Sequence, residues 1–126
     1  MHRSKLAGFI IDCNTADLDA ATEFWSNALG LAVTSGPAPE SNYRHLASTA
    51  GGMHIEVQQV SHPSRVHLDI EADDIEAEVR RLERLGARRV GPVQTWFVME
   101  APTGQRFCVV RPQSPRFESE ANEWSE

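Results

Sequence analysis

Two stretches decide the fold: Ala16-Asp-Leu-Asp-Ala-Ala-Thr-Glu-Phe-Trp-Ser-Asn-Ala-Leu-Gly30 and Ala72-Asp-Asp-Ile-Glu-Ala-Glu-Val-Arg-Arg-Leu-Glu-Arg-Leu-Gly86. Laid over each other at an offset of 56, they match at Ala16/Ala72, Asp17/Asp73, Ala21/Ala77, Leu29/Leu85 and Gly30/Gly86. Each opens on an aspartate, whose side chain can accept the first unpaired amide protons of a helix and whose charge suits its positive end. Each closes on a glycine, suited to the left-handed position that ends a helix. Ile75, Val79, Leu82 and Leu85 share one helical face, and so do Leu18, Ala21, Trp25 and Ala28. The apolar phase fits better at an offset of 57, so the repeat is approximate.

Strands are expected on both sides of each helix. Residues 6–13 and 65–71 precede them. Residues 31–34, 43–48 and 53–60 follow the first helix, and residues 88–90, 95–100 and 106–111 follow the second. Breakers separate the strands: Gly36-Pro37-Ala38-Pro39, Gly51-Gly52, His62-Pro63, Gly91-Pro92 and Pro102-Thr103-Gly104. The order is β-α-β-β-β, twice. Neither half is long enough to bury a comfortable core alone, so two halves sharing sheets are expected. Residues 36–42 read as a surface loop, with a mobile lid as the alternative.

Alternation along the strands assigns their faces. Ile55 and Val57 oppose His54, Glu56 and Gln58; Val66, Leu68 and Ile70 oppose His67, Asp69 and Glu71; Phe107 and Val109 oppose Arg106, Cys108 and Val110. The apolar sides are the expected packing surface for the helices. The polar sides either meet water or are wrapped into a cleft.

At 126 residues and 14.0 kDa the chain is one ordinary domain. Its net charge of −6 argues against a nucleic-acid footprint and against a polybasic membrane surface. No apolar run is long enough for a membrane span. Four of the acids lie in the last nine residues, which hold no base and a single large apolar side chain, Trp124. That segment is expected to be mobile, with docking of Phe117 and Trp124 onto a partner or over a cleft as the alternative. Two cysteines, Cys13 and Cys108, make no disulfide scaffold and fit a cytoplasmic protein. The arginines 80, 81, 84, 88 and 89, spaced against Glu76, Glu78 and Glu83, read as a solvated helix face.

Together the two βαβββ modules over residues 5–112 resemble the vicinal oxygen chelate superfamily of glyoxalases, bleomycin resistance proteins and extradiol dioxygenases, and in particular its glyoxalase-like domain subgroup. The pieces that carry the resemblance are Asp17 with Phe24-Trp25 and Ala28-Leu29-Gly30, residues 65–70 with Asp74, and the Ala101-Pro-Thr-Gly104 turn followed by residues 107–110. It implies an α+β fold in which two βαβββ modules form a curved eight-stranded mixed sheet around a cleft. Module one covers about residues 5–60 and module two about 65–112 of a domain at 1–115; residues 116–126 are the acidic tail. It also implies a homodimer and a small-molecule ligand.

Metal enzymes of the superfamily take one ligand from the first strand and one from the last strand of each module. Carried across, His67 and Glu56 match, which makes them the candidate catalytic and metal-binding pair. The other two positions depart: residues 8–11 offer no ligand, leaving Asp12 nearest, and the last-strand glutamate is replaced by Cys108. A catalytic zinc needs about three protein ligands and an open position, so Cys108, Asp12 or His54 would have to be recruited. The leading expectation is therefore a glyoxalase-like protein without the complete metal set or any cofactor, binding a small molecule through His67, Glu56, Gln58 and Asp69. Trp96 and Cys108 are further candidates for the cavity lining, though a core role suits both, as it does Trp25. The alternatives are a metal-dependent lyase, isomerase or dioxygenase using Glu56 and His67 with Zn, Ni, Mn or Fe, and a non-catalytic sequestering or interaction protein. Whether the chain is an enzyme stays open at this point.

Overall fold

The structure is a computed structural model that describes residues 1–34, 40–47, 49 and 51–126. The loop expected at 36–42 falls largely outside them, as does the end of the strand expected at 43–48. The elements run β1 (His2–Asn14), α1 (Leu18–Leu29), β2 (Tyr43–Leu46), β3 (His54–Val60), β4 (Arg65–Ala72), α2 (Ile75–Arg84), β5 (Arg88–Val93), β6 (Trp96–Glu100), β7 (Arg106–Val110), α3 (Phe117–Glu120) and β8 (Asn122–Trp124). The strands make one open, mixed, eight-stranded sheet, an α+β architecture. The chain divides into two compact units, Gly8–Val66 and Met1–Ala7 with His67–Glu126.

In the unit Gly8–Val66, β1 pairs parallel with β3 and β2 pairs antiparallel with β3. The strand expected at 31–34 is reduced to a single bridge, Val33 to Leu46. Helix α1 is capped by Asp17, whose carboxylate accepts the Ala20 amide proton at 3.0 Å, and it ends at Gly30 with φ 70°. The core holds Ile11, Cys13, Leu18, Leu46, Ile55 and Val57, with Trp25 and Phe9 packed against it. Trp25 is thus a packing residue, as expected. Ala28 is exposed.

In the second unit, β4 pairs parallel with β7, β7 antiparallel with β6, and β6 with β5. The two parallel pairs, β1–β3 and β4–β7, are the repeat expressed in three dimensions. Helix α2 is capped by Asp74, not Asp73, through the Ala77 amide at 3.0 Å. The caps Asp17 and Asp74 therefore obey the offset of 57 that the apolar phase favoured. Its core holds Ala72, Val79, Leu82, Met99 and Val109.

Three expectations are corrected here. Val66 and Leu68 do not pack under a helix: they are 58% and 51% exposed, because α2 lies against β5, β6 and β7. Leu85, the residue that caps α2 after Arg84, is also exposed. The arginine face is solvated only in part. Arg89 and Arg80 pair with Glu76 at the surface, whereas Arg81 turns to a carboxylate, Glu78, that is fully buried.

The acidic C-terminal segment is docked. Phe117 is 4% exposed, and β8 pairs antiparallel with residues His2–Ser4 of β1. Beneath it, Glu78 accepts hydrogen bonds from His2 Nε2, Ser4 Oγ and both arms of Arg81, at 2.8–2.9 Å. Trp124 closes the network: its Nε1 donates to Ser4 Oγ at 2.8 Å and its ring carries the Arg81 guanidinium at 4.0 Å. Arg3 and Lys5 pair with Glu118 and Glu120. Strand pairing and a buried ionic network supply what composition could not forecast for a segment with one tryptophan.

Candidate functional site

Among the described residues, two groups of metal-ligating side chains form on the polar sides of the strands, one in each unit. In the unit Gly8–Val66, β2 and β3 run in a register that sets Leu46 beside Ile55 and His45 beside Glu56. Leu46 and Ile55 are core residues, so alternation turns His45 and Glu56 to the other side together. His54, two residues before Glu56 on the same strand, joins them. His45 Nε2 lies 2.9 Å from Glu56 Oε1, and His54 Nε2 lies 2.8 Å from Glu56 Oε2. The imidazole rings meet edge to face at 5.4 Å. The Glu56 side chain is 10% exposed, against 34% and 27% for the two histidines, so the carboxylate sits at the floor and the imidazoles at the rim.

In the other unit, His67 and Asp69 lie on the same side of β4, and Asp69 is paired with Cys108 of β7. His67 Nε2 is 3.5 Å from Asp69 Oδ1, at the far edge of hydrogen-bond range. Donor atoms of His67, Asp69 and Cys108 all lie within 4.8 Å of one another. A histidine beside a carboxylate is the side-chain pair that general acid–base chemistry uses.

The remaining candidates fall elsewhere. Gln58, opposite Asp12 and Tyr43, lines a polar concavity of about 710 Å³ together with Asn14, Thr15, Asn42, Gln59 and His62. Asp12 is buried and faces Arg65, 3.7 Å away. Trp96 opens β6 opposite Val93 and is half-buried. Cys13 is buried in the core, and burial pushes its thiol up, away from reactivity. His45 was missed from the sequence. Its signal was the Leu46–Ile55 match, which fixes the hairpin register and sends His45 to Glu56.

A family model described as a glyoxalase-like domain matches residues 8–110. The chain belongs to the glyoxalase-like domain family. Solved structures agree on the fold. Methylmalonyl-CoA epimerase from Mycobacterium tuberculosis aligns at 20% identity and a TM-score of 0.57, covering 86% of this chain and 87% of its own. A glyoxalase/bleomycin resistance protein/dioxygenase superfamily member from Vibrio splendidus 12B01 aligns at 19% and 0.52, covering 83% and 98%. A protein named as an NAD-dependent benzaldehyde dehydrogenase from Legionella pneumophila aligns at 11% and 0.61, covering 83% and 99%. Among curated proteins none matches. Likeness at this identity carries the fold and leaves the reaction to the site.

Members of the superfamily often hold a divalent metal, and the residues here do not fit that usual four-position set. No first-strand ligand is present: residues 8–11 are Gly8, Phe9, Ile10 and Ile11, and a Cβ on Gly8 would lie 1.7 Å from the His54 carbonyl oxygen. The last-strand glutamate is Cys108. Glu56 is engaged by His45 and His54, and His67 groups with Asp69 and Cys108. Among the described residues no helix is long and apolar enough to cross a membrane.

Proposed function

We propose that this glyoxalase-like protein binds a small organic molecule at the polar side of β4, with His67 handling a proton and Asp69 orienting its imidazole. The single observation that carries the reading is the His67 cluster. An imidazole lies 3.5 Å from a buried carboxylate and within reach of a thiol, on an inner strand of the sheet. Burying a carboxylate is costly unless something answers its charge, and here the answering group is one that can also exchange a proton with a ligand. Cys108 is the further contact that the reading assigns.

The test is a thermal-shift screen of small carboxylates, 2-oxo compounds and acyl thioesters against the wild type, His67→Ala and Asp69→Asn. A ligand at about 100 times its Kd should stabilise the wild type by roughly 2.7 kcal/mol, or about 5–10 °C for a domain of this size. His67→Ala should lose at least about tenfold in affinity, one buried charge-assisted contact being worth roughly 1.5–3 kcal/mol. Equal binding by wild type and His67→Ala sinks the assignment, as does a screen in which nothing binds.

The same reading makes the chain a cytoplasmic homodimer. Two buried thiols suit a reducing compartment, and the exposed pair Val66 and Leu68 is the apolar surface a second copy would cover. Light scattering after size exclusion should give a dimer for the wild type and a monomer for Val66→Asp/Leu68→Asp; a wild-type monomer at 100 µM rejects this part, the concentration being about that at which even a weak interface associates.

A further inference from the structure

We propose that His45, His54 and Glu56 bind one divalent first-row transition ion, Zn²⁺ above all, at a site built wholly within the unit Gly8–Val66. Two imidazole nitrogens and a carboxylate oxygen are the donor set that catalytic zinc takes with a fourth position left open, and borderline ions prefer it over hard Mg²⁺. Glu56 points one oxygen at each histidine, 2.9 and 2.8 Å away. All three donors lie within 4.8 Å of one another. Ligand legs of about 2.0–2.1 Å set tetrahedral donors roughly 3.3 Å apart, so the ion needs only a small opening of contacts already made. On binding, each imidazole gives up its Nε2 proton to its own Nδ1 or to water, and the metal takes the place of both hydrogen-bonded protons.

The scaffold favours a site over a mere hydrogen-bonded cluster. His45 and Glu56 are fixed across a hairpin by the Leu46–Ile55 core pair, and the His54 backbone is held by the close approach of Gly8. A donor set on paired strands is more precise than one on loops. The histidine side chains are 34% and 27% exposed, which gives an ion a way in, while the carboxylate at 10% sits where water competes least. Only Glu56 is shared with the superfamily's set: the site needs neither a first-strand ligand nor His67, and it stands whether or not His67 binds an organic molecule.

Titration calorimetry of the metal-stripped full chain with ZnCl₂ tests it. One equivalent should bind, and MgCl₂ should give no heat. His45→Ala and His54→Ala should each weaken zinc by about 100-fold, since even indirect support of a metal ligand is worth about 10–100-fold. His45→Gln and His54→Gln, checked by circular dichroism, separate loss of a ligand from loss of fold. His67→Ala and Cys108→Ser should bind zinc as the wild type does. Absence of saturable uptake overturns the proposal, and so does undiminished binding by folded His45→Gln and His54→Gln. Loss of zinc in His67→Ala or Cys108→Ser moves the ion to the other cluster and overturns it equally.

Discussion

Replacing Glu78 by alanine is expected to cost about 3–5 kcal/mol and to free the C-terminal segment, because removing one partner of a buried ionic network leaves the others charged and unanswered. Glu78 is 0% exposed and is the common acceptor for His2, Ser4 and Arg81. Without it, Arg81 loses its anchor beneath Trp124, and the β1–β8 pairing loses its floor. A domain of this kind holds only about 5–15 kcal/mol in all, so the melting temperature should fall by roughly 10–20 °C. Amide exchange at residues 117–124 should rise with it. A fall under about 3 °C (roughly 1 kcal/mol) with the tail still protected rejects the network as the tail's anchor.

The pH dependence of that anchor follows from the same groups. Burial works to push the Glu78 carboxyl up, but hydrogen bonds from Arg81, His2 and Ser4 outweigh it and hold the group below its ordinary 4.5. That contribution is present above 4.5 and is lost as pH falls through the lowered value. Burial likewise opposes charge on His2, yet its bonds to Glu78 and Glu126 raise it above 6.5. Its contribution is full below 6.5 and is lost as pH rises through the raised value. The difference in melting temperature between wild type and Glu78→Ala should therefore be widest between about 4.5 and 6.5 and shrink on either side.

Gly8→Ala is the second large effect, about 3 kcal/mol or more by urea unfolding. The cause is contact and not conformation. The glycine's added Cβ would sit 1.7 Å from the His54 carbonyl oxygen and 2.6 Å from its carbon, and a backbone carbonyl in a paired strand cannot turn aside as a side chain can. Gly30→Ala is the control: at φ 70°, with nothing near its Cβ, it should lose only about 1 kcal/mol. If the two cost the same, the close approach of β1 to β3 is not the determinant. Because Gly8 abuts His54, the substitution should also disturb the His45–His54–Glu56 cluster.

Much of this was legible before any coordinates. Period, caps and breakers specified β-α-β-β-β for the second half and, apart from the strand at 31–34 that is only a bridge, the same order for the first, because each of those signals is local. Asp17 and Asp74 cap their helices by reaching three residues ahead, and Ile55, Val57 and Val109 are core because alternation is a property of one strand. The polar faces that carry Glu56 and His67 were legible for the same reason. Where the reading failed, the missing quantity was a partner. His45 was invisible until the hairpin register paired it with Glu56. Val66 and Leu68 looked like core until α2 settled over β5, β6 and β7 instead.

The sequence by itself determined the order of the elements from β1 to β7 and the apolar side of most strands, and it offers no ligand-type side chain at residues 8–11 and a cysteine at 108. Only the tertiary structure decided that His45 and His54 share one carboxylate, that His67 keeps company with Asp69 and Cys108, and that an acidic tail folds back as α3 and β8. Spacing along a chain fixes which way a side chain points; which distant side chain meets it depends on register and on buried charge seeking compensation, and both are properties of the folded whole.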